Sequence, residues 1–364
     1  MGFRSVIEIG GRPVGAGHPC YVIAEAGSNH DGRLEQALAL VDVAAAAGCD
    51  AVKFQIFRPE ELMSPAGPRA RYLDTLLGDR SLYELFTATA INRAWLPRIA
   101  YHCRTRGIHF LATPFDCDAV DRLVSPEVAA PAIKNASAEL WHLPLVRHAA
   151  RTGRPLLLST GMATLPDVED ALVVAAAAGA TDVALLQCTV SYPTPPESVN
   201  LRAIGTLAER FGVPVGFSDH TQGIWAPVAA VALGASVIEK HATLSRRLPG
   251  PDHPFAVEPD ELAQMVRDIR ATEQALGDGQ KVRQPAEEEI YAIGRRNLVA
   301  VRDLAAGSRL VEADLAVLRS PLGIAPRDAA LVAGRTLARP VAAGAPLTWN
   351  DLAPVEASGD AVHA

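Results

Sequence analysis

The run Val22-Ile23-Ala24-Glu25-Ala26, the segment Leu34–Ala46 (LEQALALVDVAAA), and the run Val52-Lys53-Phe54-Gln55-Ile56-Phe57 together decide how this chain folds. The first and third pieces are short, apolar and rich in β-branched or aromatic residues, as a buried strand requires. The middle piece is Ala/Leu-rich with helical spacing, and Gly48 follows it as a stop. Strand, helix and strand in this order read as a parallel βα unit.

Outward from that unit the pattern repeats. Further strands are expected at His109–Thr113, Ala132–Lys134, Leu156–Thr160, Val183–Cys188, Val215–Phe217 and Val237–His241. Helices are clearest at Arg93–Arg106, Val168–Ala178 and Ile224–Leu233, with a final one at Leu262–Leu276. Eight strands with interleaved helices predict an α/β fold of the (β/α)8 or TIM-barrel kind. Polar residues mark the C-terminal strand ends: Glu25, Lys53, Gln55, Thr113, Lys134, Ser159, Ser218, His220 and His241, with Tyr192 shortly past its strand. A parallel barrel assembles its active site on that rim, so residues far apart in sequence converge there. Strand-terminal capping accounts for one or two polar residues, but not for lysines inside apolar strands, because a buried ammonium is costly without an anion.

After Leu276 the composition changes. Gly277-Asp278-Gly279 and the charged segment that follows read as a linker, giving a barrel over 1–280 and a linker over 281–296. Residues 297–354 form short Val/Leu-rich runs broken by Gly307, Gly323, Gly334 and Gly344, the pattern of a small β-rich domain, and 355–364 read as a tail. The 364 residues suit such a two-domain plan, and 49% hydrophobic with 21% charged residues is a globular composition.

The net charge of -7 offers no basic surface for nucleic acid or an acidic membrane. The longest apolar stretch, Trp225–Ile238, is shorter than the ~20 residues a membrane helix needs. Cys20, Cys49, Cys103, Cys117 and Cys188 are odd in number, scattered and free of CxxC spacing, and no apolar leader opens the chain. The expectation is a cytoplasmic protein with reduced thiols.

Two clusters carry chemistry. Ser218-Asp219-His220-Thr221 and Glu239-Lys240-His241 put imidazoles on adjacent strand ends, where His220 and His241 could ligate one divalent ion and leave positions for water and substrate. Lys134-Asn135-Ala136-Ser137-Ala138-Glu139 offers ammonium, hydroxyl and carboxylate together. With Lys53 and Ser159-Thr160-Gly161 it could hold a small multiply charged anion, of which phosphoenolpyruvate is a metabolic example.

Over almost its whole length the sequence resembles the sialic acid synthase family. The resemblance rests on Ile23-Ala24-Glu25, Asn29-His30-Asp31-Gly32, Val52-Lys53-Phe54-Gln55, Thr113-Pro114-Phe115, Leu158-Ser159-Thr160-Gly161-Met162 and Tyr192-Pro193-Thr194. It continues through the two histidine motifs, Gly250-Pro251-Asp252-His253 and Glu258-Pro259-Asp260-Glu261-Leu262. The C-terminal part is similar to the antifreeze-like (SAF, β-clip) domain of these enzymes. The resemblance implies a transferase that joins phosphoenolpyruvate to an acetamido sugar, N-acetylmannosamine first among them, with Lys53, Thr113, Lys134, Ser137, Ser159 and Ser218 on phosphoenolpyruvate. It further implies Glu25, Gln55, Tyr192 and Asp252 facing the sugar, Glu139 as base for water, and manganese, or else magnesium or cobalt, on His220 and His241. Finally it implies a domain-swapped homodimer in which Arg319 reaches the partner's acceptor site.

The chain departs from the family pattern at Val190, at Asn135-Ala136-Ser137, at Arg319-Ser320-Pro321-Leu322-Gly323 and over Arg58–Leu77, a region that helps to shape the acceptor pocket. Alternatives within the chemistry are legionaminic or pseudaminic acid synthases, or another aldose-condensing enzyme. A phosphosugar acceptor would need a second Arg/Lys cluster, which the sequence lacks. A carbohydrate- or ice-binding protein is the non-enzyme alternative, and Arg302, Asp303, Arg309, Glu312 and Asp314 make the C-terminal domain highly charged for an ice-binding face.

Overall fold

A computed structural model describes residues 2–64 and 81–355. Residues 65–77 of the Arg58–Leu77 region and most of the expected tail lie outside the described residues. The chain divides into two compact units, Met1–Asp278 and Gly279–Ala364.

The first unit opens with a hairpin the sequence reading did not anticipate, β1 (Val6–Ile9) paired antiparallel with β2 (Arg12–Gly15). Eight parallel strands follow: β3 (Tyr21–Gly27), β4 (Ala51–Ile56), β5 (His109–Pro114), β6 (Ile133–Asn135), β7 (Leu156–Ser159), β8 (Val183–Cys188), β9 (Val215–Asp219) and β10 (Val237–His241). Their hydrogen-bonded order is β5-β4-β3-β10-β9-β8-β7-β6, and the end strands β5 and β6 lie against each other to complete a nearly closed TIM-like barrel.

Helices α1 (Leu34–Ala46), α2 (Leu96–Arg106), α3 (Cys117–Val124), α4 (Leu143–Ala150), α5 (Leu165–Ala177), α6 (Ala203–Phe211), α7 (Trp225–Ala232) and α8 (Pro259–Leu276) connect and follow the strands. Their ends obey local chemistry. Gly107 closes α2 and Gly212 closes α6 in the left-handed region, while Pro at the first turn and a capping box start α5. No helix among the described residues is long and apolar enough to cross a membrane.

Strand alternation sorts the barrel interior into two layers. Near the strand starts, Tyr21, Ile23, Ala51, Leu111, Ala132, Leu157, Ala184, Leu186 and Val237 form one buried cluster with Ile7, Ile9 and Val14 of the hairpin. The hairpin therefore plugs the N-terminal end of the barrel. The next inward positions on the same strands are Glu25, Lys53, Thr113, Lys134, Ser159, Ser218 and Glu239. Gly216 is required below them, since a Cβ there would collide with the Val237 carbonyl oxygen.

In the second unit, β11 (Arg296–Ala300) pairs antiparallel with β12 (Leu315–Arg319). Leu298, Leu304, Leu310, Ile324, Leu337 and Leu347 lead its buried core. The segment expected as a linker contains a short helix, Glu288–Gly294, on which the Arg283 and Arg295 guanidiniums lie over the Tyr291 ring.

Candidate active site

The upper interior layer is one connected ionic network. Lys53 Nζ lies 2.7 Å from Glu25 Oε2 and donates to Thr113 Oγ1 at 2.9 Å. Gln55 donates to Glu25 Oε1 at 2.9 Å. Lys134 Nζ donates to Ser159 Oγ at 2.6 Å and to the Asn135 carbonyl at 3.0 Å. Glu239 joins the halves: its Oε1 accepts from Ser218 Oγ at 3.0 Å and lies 3.7 Å from Lys53 Nζ and 3.9 Å from Lys134 Nζ. Ser137 sits at the edge, its Oγ accepting from the Gly161 amide at 3.0 Å. Only glycine fits there, because a Cβ at 161 would stand 2.8 Å from that same Oγ and 2.6 Å from Val190 Cγ2.

Glu239 was missed by sequence reasoning, which gave His241 a role and passed over its neighbour two positions earlier. Period-2 alternation was the available signal: Val237, Glu239 and His241 share one face of β10, while Lys240 points the other way. There Lys240 Nζ meets Asp219 Oδ2 at 2.7 Å, a buried pair behind the two histidine motifs. Glu239 also changes the argument from buried lysines, since the chain itself supplies carboxylates for both.

The network sets opposite tendencies in its members. Burial would depress the Lys53 ammonium, but the Glu239 and Glu25 carboxylates outweigh it and hold its pKa above the ordinary value. For Lys134 burial dominates, Glu239 offsets it only partly, and the pKa falls. Burial works to raise Glu239, yet Lys134 and Lys53 bring it below the usual carboxylate range. Burial raises Glu25 in spite of Lys53.

Above this layer the described residues bound a cavity of ≈ 220 Å³ lined by Gln55, Tyr192, His241 and Asp252 on its polar side. Phe57, Leu85, Phe86 and Phe255 supply apolar wall. Tyr192, His220 and His241 group their rings, with centroids 4.3 Å apart for Tyr192–His220 and 5.3 Å for His220–His241. Asp252 Oδ2 lies 3.6 Å from His241 Nδ1, and burial raises its carboxyl above the usual range.

Of the remaining predicted residues, Glu139 is outside the network and Arg319 belongs to the second unit. Glu139 is on the turn Ser137–Glu139, and its Oε2 lies 3.0 Å from His142 Nδ1. Arg319 is exposed at the end of β12 in the second unit, in register with Arg296.

A divalent ion fits the histidine pair on local grounds. His220 Nδ1 faces the Thr189 carbonyl at 2.9 Å, so in the neutral form that a metal needs it carries the proton and leaves the Nε2 lone pair for the ion. Burial would lower the pKa of this ring, but the neighbouring Cys188 outweighs it and raises it. His241 Nδ1 is buried with no hydrogen-bond partner among the described residues, and burial pushes its pKa well down, so the ring is neutral and its lone pair would suit an ion. Among the described residues no group of three or more His, Cys, Asp or Glu side chains is placed to hold a metal, so these two imidazoles would be the core of the site.

Residues 40–281 match the NeuB family, and residues 295–353 match the SAF domain. The chain belongs to the NeuB family. It is 37% identical over 346 residues to an N,N'-diacetyllegionaminic acid synthase of Legionella pneumophila, covering 94% of this chain and 97% of that one. A Campylobacter jejuni protein of the same name is 40% identical over 306 residues, 83% of this chain and 91% of its own length. The crystal structure of an N-acetylneuraminic acid synthetase from Leptospira borgpetersenii, in complex with citrate, superposes with a TM-score of 0.70 at 33% identity, covering 79% of this chain and 95% of that one. This NeuB-family chain is thus an enzyme of the sialic acid synthase type, with a SAF domain after its barrel.

Proposed function

We propose that the chain condenses phosphoenolpyruvate with the open-chain aldehyde of an acetamido sugar and water, giving a nonulosonic acid and inorganic phosphate. The observation that carries this reading is the pair of buried ammonium groups, each with hydroxyl partners, joined through Glu25 and Gln55 to the cavity above. The carboxylate and phosphate of phosphoenolpyruvate would be taken by Lys53, Thr113, Lys134, Ser137, Ser159 and Ser218. Lys134 gains most from such an anion, since its nearest carboxylate is 3.9 Å away whereas Lys53 has one at 2.7 Å.

In the proposed reaction the methylene carbon of phosphoenolpyruvate bonds to the aldehyde carbon. Water adds to the former enol carbon, and its bond to the phosphate oxygen breaks as inorganic phosphate leaves. Glu25, Gln55, Tyr192 and Asp252 orient the sugar, and Glu139, outside the ionic network but on the same turn as Ser137 at its edge, is the base proposed for the attacking water. His220 and His241 would hold a divalent ion, manganese or else magnesium or cobalt, which supplies Lewis acidity toward the aldehyde oxygen when bound.

N-acetylmannosamine is one acceptor of this class. A specific observation favours a second, a 2,4-diacetamido-2,4,6-trideoxyhexose: the cavity wall of Phe57, Leu85 and Phe86 suits a methyl group better than a hydroxymethyl. Two relatives named for diacetyllegionaminic acid point the same way. No Lys or Arg lines this cavity among the described residues, which disfavours a phosphosugar. Phosphate release from phosphoenolpyruvate, measured with each sugar in turn, tests the proposal. Release that requires an acetamido sugar supports it, and release without any acceptor, or with none of them, overturns it.

A symmetric dimer completes the proposal, with Arg319 of each chain serving the acceptor site of its partner. Exposed Leu318 and Leu322 flank Arg319 and would gain cover. Co-expressing an Arg319→Ala chain with a His220→Ala chain tests it. Shared sites restore about a quarter of the activity by random pairing, and sites confined to one chain restore none.

A further inference from the structure

Two motifs on paired strands, Asn29-His30-Asp31-Gly32 after β3 and Gly250-Pro251-Asp252-His253 after β10, leave most of their polar groups without a part in the chemistry above. The structure stitches them together. His253 Nε2 lies 3.0 Å from Asp31 Oδ1 and 3.2 Å from Oδ2, and His253 Nδ1 lies 2.7 Å from Thr243 Oγ1. A carboxylate only accepts, so in the neutral ring Nε2 carries the proton and the Nδ1 lone pair faces the Thr243 hydroxyl, whose one proton has the Ser245 carbonyl at 3.1 Å as its other acceptor. Asp31 is itself fixed, since Gln36 Nε2 donates to its Oδ2 at 2.7 Å and to the Asn29 carbonyl at 2.7 Å. Asn29 Nδ2 ties the same loop to the Ala242 carbonyl at 2.9 Å.

The order Asp, His, Thr is that of a nucleophilic triad, but burial excludes that use. Thr243 and His253 are both 0% exposed, so no substrate reaches the hydroxyl. The contact is also too close for another side chain to enter, because a Cβ at Gly250 would meet Asp31 Oδ1 at 2.7 Å and His253 Cδ2 at 2.8 Å. What the arrangement does control is the residue before His253. Asp252 lines the cavity from the turn that His253–Phe255 forms, and its Oδ2 faces Ser28 Oγ at 3.4 Å from the other stitched loop.

We infer that half-buried Asp31 and the fully buried His253 and Thr243 form a clamp that positions Asp252, and with it the recognition of the acceptor sugar rather than of phosphoenolpyruvate. The three are positioning residues, acting on the sugar through the Asp252 carboxylate and the Phe255 wall. The inference rests on the proposed acceptor role of the cavity. Among the described residues the clamp and the phosphoenolpyruvate network share no hydrogen bond, so loosening the first should leave the second in place. Buried hydrogen bonds of this sort hold a rotamer within the few tenths of an ångström that binding selectivity demands.

The test is a steady-state comparison of both Michaelis constants in Asp31→Ala, Asp31→Asn and Thr243→Val, alone and combined with Asp252→Ala. Asp31 sits at φ 49, a left-handed conformation that asparagine tolerates, so Asp31→Asn keeps the backbone and one acceptor oxygen and should rescue most of the loss. Asp31→Ala should raise the acceptor KM at least tenfold, Thr243→Val about threefold, and neither should move the phosphoenolpyruvate KM by more than twofold. In the Asp252→Ala background the same changes should add little. If Asp31→Ala does not fold, Thr243→Val and Asp31→Asn, which keep shape, carry the comparison. Equal rises in both KM values, or undiminished effects without Asp252, overturn the clamp. A wild-type enzyme that condenses no acetamido sugar would instead overturn the proposed function, so the two failures are told apart.

Discussion

The lower and upper halves of the barrel interior share the same strands and the same inward face, yet one is built to be stable and the other to be useful. Below, Ile23, Leu111, Leu157, Leu186 and Val237 pack against the hairpin residues Ile7, Ile9 and Val14. Above, Glu25, Lys53, Lys134 and Glu239 are all buried, and each needs an opposite charge to be tolerated there. Burying the aliphatic set stabilises the fold by roughly 1.5–3 kcal/mol per side chain, whereas a buried ion pair gives no net gain over an apolar pair of the same size. The difference teaches that the ionic layer is held by the scaffold and does not hold it.

The largest expected effect falls where the upper layer meets the cavity. His220→Ala and His241→Ala should each lower turnover by about a thousandfold, because neither imidazole has a substitute at those strand ends. Chelation should do the same to the wild type, and added manganese should reverse it. Melting temperatures of the two variants should stay near that of the wild type. A large drop in melting temperature would mean that the histidines carry stability, which would break the comparison.

Leu157→Ala should show the opposite signature. Removing a fully buried side chain beside the hairpin should cost about 2–5 kcal/mol in urea unfolding, with the Michaelis constants of the remaining folded enzyme unchanged. Lys134→Met should come next. Losing a charge-assisted contact of about 1.5–3 kcal/mol should weaken phosphoenolpyruvate use some tenfold to hundredfold, with stability held or raised. A Lys134→Met protein that unfolds as readily as Leu157→Ala would show that the ionic layer does hold the barrel.

How far this division could be read from the sequence depends on the range of the signal. The inward alternation of apolar then polar residues is local, so Val22–Ala26 and Val52–Phe57 announce both the strands and the rim. The hairpin was not legible, because Val6–Ile9 and Arg12–Gly15 are four residues each and Pro13 interrupts the second. The pairing of Asp31 with His253 spans 222 positions, and only the fold brings the two together. Glu239 was legible in principle, since alternation from His241 reaches it. The apolar cavity wall at Leu85 and Phe86 was not, because it comes from a helix, Leu82–Thr89, outside the repeating units.

The smallest predicted effect concerns His30, a polar group behind the rim that belongs to neither layer. Its ring packs near Phe54 and edge-on to Trp95, its Nδ1 accepts from the Gly32 amide at 3.1 Å, and its Nε2 has no hydrogen-bond partner among the described residues. Burial lowers its pKa from 6.5 to about 4, against a smaller opposing pull from Asp31. Between those values the unfolded chain binds a proton that the folded chain refuses, so stability rises with pH across that window. The contribution is complete above about pH 6.5 and fades as the pH falls toward 4. By pH 5.5 roughly 1 kcal/mol should be gone. Urea unfolding at pH 7.5 and 5.5 checks this when wild type is compared with His30→Asn, whose Oδ1 can still accept from Gly32 but does not titrate. The wild type should lose more stability than the variant over that interval. Equal losses would mean that His30 protonates as easily when folded as when unfolded, and the space behind the rim would then have to be as open to water as the cavity in front of it.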